Sequence, residues 1–388
     1  MTLTQFEIAK IKQNRIVVGA LITSIFILFG LFLIGYHYSQ ENMAARSNSA
    51  DGYVSNLDKT IKKKYAGDLT DDKIKHIISD YIDLFQNNLK DDVNVGPFYP
   101  FYLDIATAFV SETNPDIYLT MIDKEKIGTK LSIDELAIEP LAKKHFKTFD
   151  RPLQLGNYVP WTELYKVTGY LSILISILAI LVCSVVFSDD TSKNMNQMLL
   201  TTKYGRNKSP ISKLLAGILV SISLFIVIHV INMIVFACMH DISGWKTSIQ
   251  ANFSMKLYDF PMAWNHLQVY FWFLGLQLIG VLFIVALSLL VSSLVQTPLA
   301  AFATATGLYL LPNFLLKLVE GNTISKYLYL FPINQTNVKI MLLVMSDDKA
   351  FLYPTIIGNS LLAILFLGLG QLLFMLLTYR HMKYWQFR

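Results

Sequence analysis

The sequence predicts a mostly α-helical, polytopic membrane protein, with six transmembrane helices and an α/β extracellular domain between the first and second. Three observations carry this expectation. Hydrophobic residues make up 53% of the 388 positions and charged residues only 16%, whereas soluble domains carry about 25% charged residues. The charge deficit is local, falling in six apolar runs long enough to cross a hydrocarbon core of about 30 Å. Between the first two runs the composition reverses: residues 37–163 hold 15 Lys/Arg and 20 Asp/Glu.

Residues 1–15 form a tail bearing Lys10, Lys12 and Arg15, followed by the first span, 16–36. Basic residues ahead of an apolar run resemble a secretory leader, but the run is too long and no small-residue cleavage site closely follows, so it reads as a retained helix. The segment 37–163 is long enough for one small domain. Ser47 to Gly52 reads as a linker, and Ile74, Ile77, Ile78, Tyr81 and Phe85 recur at helical spacing. The run Gly96 to Tyr102 suggests an aromatic loop or edge strand. Ser132 to Glu135 fits a capping box ahead of a helix reaching about Phe146, with Pro140 as an interruption.

The second span covers 164–187, and a polar loop, 188–213, leads to the third span, 214–239. An outer loop, 240–268, precedes the fourth span, 269–295. The fifth, 298–317, follows after only Gln296-Thr297, with Pro298 suited to a first helical turn. An outer loop, 318–354, the sixth span, 355–378, and a tail, 379–388, complete the chain. The loops 240–268 and 318–354 suit interfacial aromatics such as Trp245, Phe260 and Trp264, or short helices over the membrane.

Lys and Arg concentrate in the amino tail, in the 188–213 loop (Lys193, Lys203, Arg206, Lys208, Lys213) and in the carboxyl tail (Arg380, Lys383, Arg388). The positive-inside rule places these segments in the cytoplasm, with both termini inside and the 37–163 domain outside. A net charge of +5 without a long basic run argues against a nucleic-acid partner. Cys183 and Cys238 lie in apolar stretches and read as small hydrophobes rather than a disulfide or metal pair. A cysteine-free outer domain and Lys/Asn/Ile-rich usage are compatible with a Gram-positive plasma membrane.

No phosphate loop, His-Glu-x-x-His, Cys-x-x-Cys or Gly-x-Ser-x-Gly occurs, so the chain is not expected to be an enzyme or to hydrolyse ATP itself. His37, His76, His145, His240, His266 and His381 lack partners at metal-ligand spacing and read as solvated or interfacial. No metal site is expected.

The loop after the second span is the most informative stretch. Ser188, Asp189 and Asp190 read as the acidic start of a helix, and Met195, Met198, Leu199 and Thr202 recur along one of its faces. Gly205, flanked by Lys203 and Arg206, is placed to end it. Such a helix rests on lipid headgroups or offers a methionine-rich stripe to a cytoplasmic partner; the residues alone leave both open.

Leu199, Leu200, Thr201, Arg206, Ser212, Lys213 and Gly217 match a pattern that leads from the second span into the third in the permease subunits of type-2 ABC exporters. The chain resembles that family along its whole length. Leu330-Phe331-Pro332-Ile333-Asn334 is similar to a proline-containing turn that many members carry after the fifth helix. Where many members have Glu-x-x-x-Gly-Thr, this chain has Asp189 to Asn194, which places it on a divergent branch. The resemblance implies a coupling helix over 190–204, with docking by Asp189, Asp190, Met195, Met198, Leu199, Lys203 and Arg206. It also implies a separate ATPase subunit that binds ATP and Mg, no cofactor in this chain, and a second permease subunit, as a homo- or heterodimer.

His229, Asn232, Gln277 and Gln371 are polar positions inside spans, and either join helices or line a substrate path. Ala301/Ala305 and Ala303/Gly307 have the spacing of close helix contacts, within one chain or across a dimer. The leading expectation is an exporter of an amphipathic or hydrophobic molecule such as an antimicrobial peptide, drug or lipid-like compound. The alternatives are an ABC-linked mechanotransmission protein, which has four spans, and a membrane sensor whose outer domain binds a ligand. A sensor fits less well because the cytoplasmic parts total only about fifty residues, too few for a signalling domain.

Overall fold

The structure is a computed structural model that describes residues 2–38, 53–88, 99–110, 117–202, 204–319, 321, 323–347 and 351–384. The 47–52 linker and residues 96–98 of the aromatic run lie outside the described residues. In chain order the helices are α1 (Leu3–Gln13), α2 (Arg15–Phe32, continued by a π turn, Leu33–His37), α3 (Tyr53–Tyr65), α4 (Asp71–Asn88), α5 (Pro100–Phe109) and α6 (Ile117–Lys126). They continue as α7 (Val159–Ser192), α8 (Asn196–Thr201), α9 (Lys208–Met239), α10 (His266–Leu294), α11 (Pro298–Leu318), α12 (Thr323–Leu328), α13 (Val338–Ser346) and α14 (Ile356–Lys383). Two short strands, β1 (Gly67–Asp68) and β2 (Gln154–Leu155), pair antiparallel, with Gly67 opposite Leu155.

Six of these helices, α2 with its π turn, α7, α9, α10, α11 and α14, are long and apolar enough to cross a membrane. A helix satisfies its own backbone groups, so a side chain facing lipid need only be apolar. Their burial differs widely. Of the most apolar 18 residues of α7, 83% are buried, against 17% in α2 and in α14. Thus α7 is the central post, and the outward faces of the others carry bare Leu, Ile and Phe, such as Phe26, Ile226 and Leu369.

The chain divides into two compact units. One comprises residues 1–31, 168–232 and 272–388. Ala301 and Ala305 of α11 pack there against Phe283, Ile284 and Leu367, so one small-residue pair serves contact within the chain. Ala303 and Gly307 face outward. The segment after α11 folds back rather than capping the surface loosely. Pro332–Gln335 forms a buried 3₁₀ turn, in which Asn334 Nδ2 donates to the carbonyls of Leu328 (2.8 Å) and Pro312 (3.2 Å). Gln335 Nε2 donates to the carbonyls of Leu330 and Tyr329. These amides tie the turn to the end of α12 and the two residues after it, and to the backbone of α11 at Pro312. Close approach of this turn depends on Gly169 in α7: a Cβ there would lie 2.1 Å from the Thr336 carbonyl oxygen.

The other unit comprises residues 32–167 and 233–271. Its described part is largely helical, so the expected α/β character reduces to the single β1–β2 pair. The helical face read from Ile74, Ile77, Ile78, Tyr81 and Phe85 is the buried face of α4. Tyr99 to Tyr102 runs into a helix rather than a strand, because Pro100 occupies the first turn, where its missing N–H is harmless. The Ser132 capping box forms, but it opens only one 3₁₀ turn, Ile133–Glu135. A second 3₁₀ turn follows Pro140. Instead of disulfides, the core uses stacked and edge-on aromatics, among them Tyr65, Phe101, Tyr102, Tyr158 and Phe253.

Phe253 comes from the 240–268 loop, which is therefore not a loose interfacial connection but part of this core. Phe260, expected at the interface, is buried, and Gln250 Nε2 closes the loop by donating to the Phe260 and Met262 carbonyls. His240 and His266, expected to be solvated or interfacial, are also buried. The hydroxyl of Tyr165 donates to the His266 carbonyl at 2.8 Å and lies 2.9 Å from His266 Nδ1.

Candidate functional site

The residues singled out between the second and third spans do not form one continuous helix. Ser188, Asp189 and Asp190, expected at a helix start, occupy the last turns of α7. Asn194 then adopts a left-handed conformation at φ 54°. The Met195 N–H reaches back to the Asp190 carbonyl (2.9 Å) and the Asn194 N–H to that of Thr191 (3.1 Å). This pair of bonds is the Schellman termination, with Asn in the place glycine usually takes. The 190–204 helix therefore shortens to α8, a separate piece over Asn196–Thr201.

That geometry puts two carboxylates at the negative end of a long helix dipole, where they are destabilising without counter-charges. Asp189 takes Lys193, one turn on, at 2.8 Å. Asp190, whose side chain is 1% exposed, takes two lysines, Lys10 from α1 and Lys213 from α9. The Lys213 side chain is 3% exposed. Its ammonium has three donors, and three acceptors surround it: Asp190, Glu7 Oε2 at 3.2 Å and the Val186 carbonyl at 3.1 Å. Two cations and two anions thus neutralise one another and join α1, α7 and α9.

The amino tail, read only as a basic segment ahead of the first span, forms a helix that sequence reasoning missed. Thr2 and Gln5 form a reciprocal capping box, α1 runs to Gln13, and Asn14 Oδ1 accepts the Ile16 N–H at the start of α2. The Thr-x-x-Gln spacing was the available signal. Ile11 is buried while Leu3 and Phe6 are bare, an amphipathic layout suited to a membrane interface. Glu7, Lys10, Ile11 and Asn14 line a crevice with Val185, Val186 and Asp189.

Beyond this clamp, the Met195–Arg206 stretch presents its large side chains outward. Met198 is 76% exposed, Met195 and Tyr204 are also bare, Leu199 is half-buried and Arg206 is exposed. Lys203 lies outside the described residues. Lys208 sits over the Tyr204 ring at 4.5 Å and opens α9. Gly217, two turns into α9, keeps that helix close to α7 and α10: a Cβ there would meet Leu289 at 3.2 Å and Cys183 Sγ at 3.5 Å. The two cysteines are free, Cys183 buried and Cys238 exposed.

The polar positions inside the spans are not alike. Asn232 is buried, and its amide donates to Thr168 Oγ1 at 3.3 Å, a helix-to-helix bond. Gln371 is half-buried. His229 and Gln277 are buried, and neither the ring nitrogens of the one nor the amide atoms of the other hydrogen-bond to the protein. The His229 ring packs 4.4 Å from that of Phe225. Among the described residues no group of three or more His, Cys, Asp or Glu could hold a metal ion.

No curated protein matches the sequence. The profile of the family described as "ABC-2 family transporter protein" matches residues 1–381, nearly the whole chain. Six long apolar helices, a short helix presented between the second and third, and this match lead to one assignment: the chain belongs to the ABC-2 transporter family and is a multi-pass membrane permease of an ABC transporter.

Proposed function

We propose that this permease is the transmembrane subunit of an ATP-driven exporter, and that a separate ATPase subunit, which binds ATP and Mg, docks on α8. The observation that carries the reading is an exposed methionine face braced by a buried charge clamp. A helix resting on lipid alone needs no such brace, whereas a helix that transmits force must be held rigidly by the spans it moves. Methionine, flexible and polarizable, suits a surface that stays packed while its partner changes shape. The chain itself performs no ATP chemistry in this reading.

The lysine and arginine distribution supports cytoplasmic termini and a cytoplasmic α8, with residues 37–163 on the opposite face. A second permease subunit completes the path, and the outward Ala303/Gly307 face of α11 is suited to that contact. The cargo is an amphipathic or hydrophobic molecule such as an antimicrobial peptide, drug or lipid-like compound. His229 and Gln277 offer it buried polar atoms that make no hydrogen bond to the protein. The mechanotransmission alternative fits less well, because six helices rather than four have the length and character of spans.

Two outcomes test this. Met198→Glu combined with Leu199→Lys is expected to lower ATPase co-purification and transport about tenfold or more. The melting temperature should change little, because Met198 is bare and Leu199 only half-buried. Undiminished transport would remove α8 as the docking element. Gln277→Leu is expected to leave the melting temperature level or raise it, since an apolar replacement relieves an unbonded buried amide. Transport should fall; a lowered melting temperature with normal transport would make Gln277 a structural residue instead.

A further inference from the structure

The second unit contains a buried charged cluster of its own. Asp58 lies on α3, Glu163 in the first turns of α7, and His240 directly after α9. Their side chains are 0%, 1% and 2% exposed. The imidazole stands between the carboxylates, with Nδ1 3.7 Å from Asp58 Oδ2 and Nε2 3.7 Å from Glu163 Oε2. Neither ring nitrogen hydrogen-bonds to the protein.

The other groups around the cluster fix its polarity. Asp58 Oδ1 accepts from the Tyr99 hydroxyl at 3.1 Å and from the Asn157 amide. Burial first, and then the Asp58 charge, push the Tyr99 phenol well above its ordinary range, so it remains a neutral donor. The Tyr36 ring meets the imidazole edge-on at 5.9 Å, and Phe236 covers it at 5.7 Å. Outside the buried group, Lys62, one turn along α3 from Asp58, pairs with Asp241, the neighbour of His240, at 3.2 Å. That rim pair is closed on itself, and His240 stands between the two buried carboxylates.

A neutral imidazole has one N–H and one lone pair, so one of its nitrogens would turn a lone pair towards a carboxylate. A doubly protonated ring turns an N–H to each side and so meets both carboxyl groups with a donor. We infer that Asp58, His240 and Glu163 form a proton-binding site, whose proton fastens α3 to the adjoining ends of two spans. The ligand is the proton itself, taken from the side of the membrane that carries residues 37–163.

The sign of the linkage follows. An unfolded chain has no carboxylates held against this ring, so the bound proton stabilises the folded form at low pH. The contribution is lost as pH rises and the proton leaves the cluster. The test is thermal unfolding of the full chain in lipid nanodiscs from about pH 5 to pH 9, which spans the imidazole range. Wild type is expected to lose several degrees across that range, and His240→Gln and Glu163→Gln should each flatten the profile. The other six histidines are present throughout and cancel in the comparison. Should His240→Gln not fold, Glu163→Gln, which keeps the ring and removes one carboxylate charge, decides alone. A wild-type slope that persists in either variant, or a wild type with no slope, overturns the inference.

Discussion

Lys213→Ala is expected to be among the most damaging single changes to the protein, lowering stability by about 3–5 kcal/mol. The ammonium sits among three acceptors with 3% of its side chain exposed. Its removal leaves Asp190 with Lys10 alone, at the negative end of α7, where the dipole already disfavours a carboxylate. Asp190→Asn should cost less, because it leaves a neutral amide in place of an unmatched charge and Lys213 keeps Glu7. Replacing both members, Lys213→Met with Asp190→Leu, should recover most of the stability, since a well-packed apolar pair often matches a buried ion pair. Transport should not recover with it, because Lys10 and Glu7 lose the partners that hold α1 to the base of α7 and α9. Tryptophan fluorescence melts and a transport assay on the same samples separate the two effects. A wild-type melting temperature in Lys213→Ala would show that the loop is held by something other than this network.

Gly169→Val is expected to abolish recovery of folded protein, and Gly169→Ala to destabilise it by about 3 kcal/mol. The added carbon would lie 2.1 Å from the Thr336 carbonyl oxygen and 3.2 Å from its carbon. Both belong to backbone at the end of a turn that Asn334 and Gln335 hold by four amide bonds. Neither side can yield cheaply, because moving the turn breaks those bonds and moving α7 disturbs the most buried span. Gly275→Ala in α10 is the control: nothing lies within 4 Å of the new carbon, and a helical alanine is favoured over glycine by about 1 kcal/mol. Size-exclusion profiles and melts of the three variants test the contrast. A monodisperse, wild-type-like Gly169→Val would mean that the 332–336 turn does not approach α7 so closely.

Legibility in the sequence depended on whether a feature was local or long-range. The six spans could be read because a run of apolar residues long enough to cross lipid is a local property. The α4 face and the Ser132 capping box could be read for the same reason. The Thr2–Gln5 box was equally local and was overlooked, because the tail was judged by its charges. Asp190 and Lys213 were both noticed, the first as a docking residue and the second as part of a family pattern. Nothing in their spacing of 23 positions reveals that they meet, or that Lys10 and Glu7 arrive from the other end of the chain.

His240 and Glu163 illustrate the limit most sharply. Each stands at the edge of an apolar run, where a titratable side chain ordinarily reaches for water, and the sequence carries no sign to the contrary. Burial is settled by what packs over a residue, and here that is Tyr36, Phe236 and the helix bearing Asp58. The sequence by itself determined that this chain spans a membrane, how often, and that a short amphipathic stretch stands between the second and third spans. Only the tertiary structure decided which charges meet, because pairing depends on distances between helices far apart in the chain, and an ion buried by that packing must find its partner there.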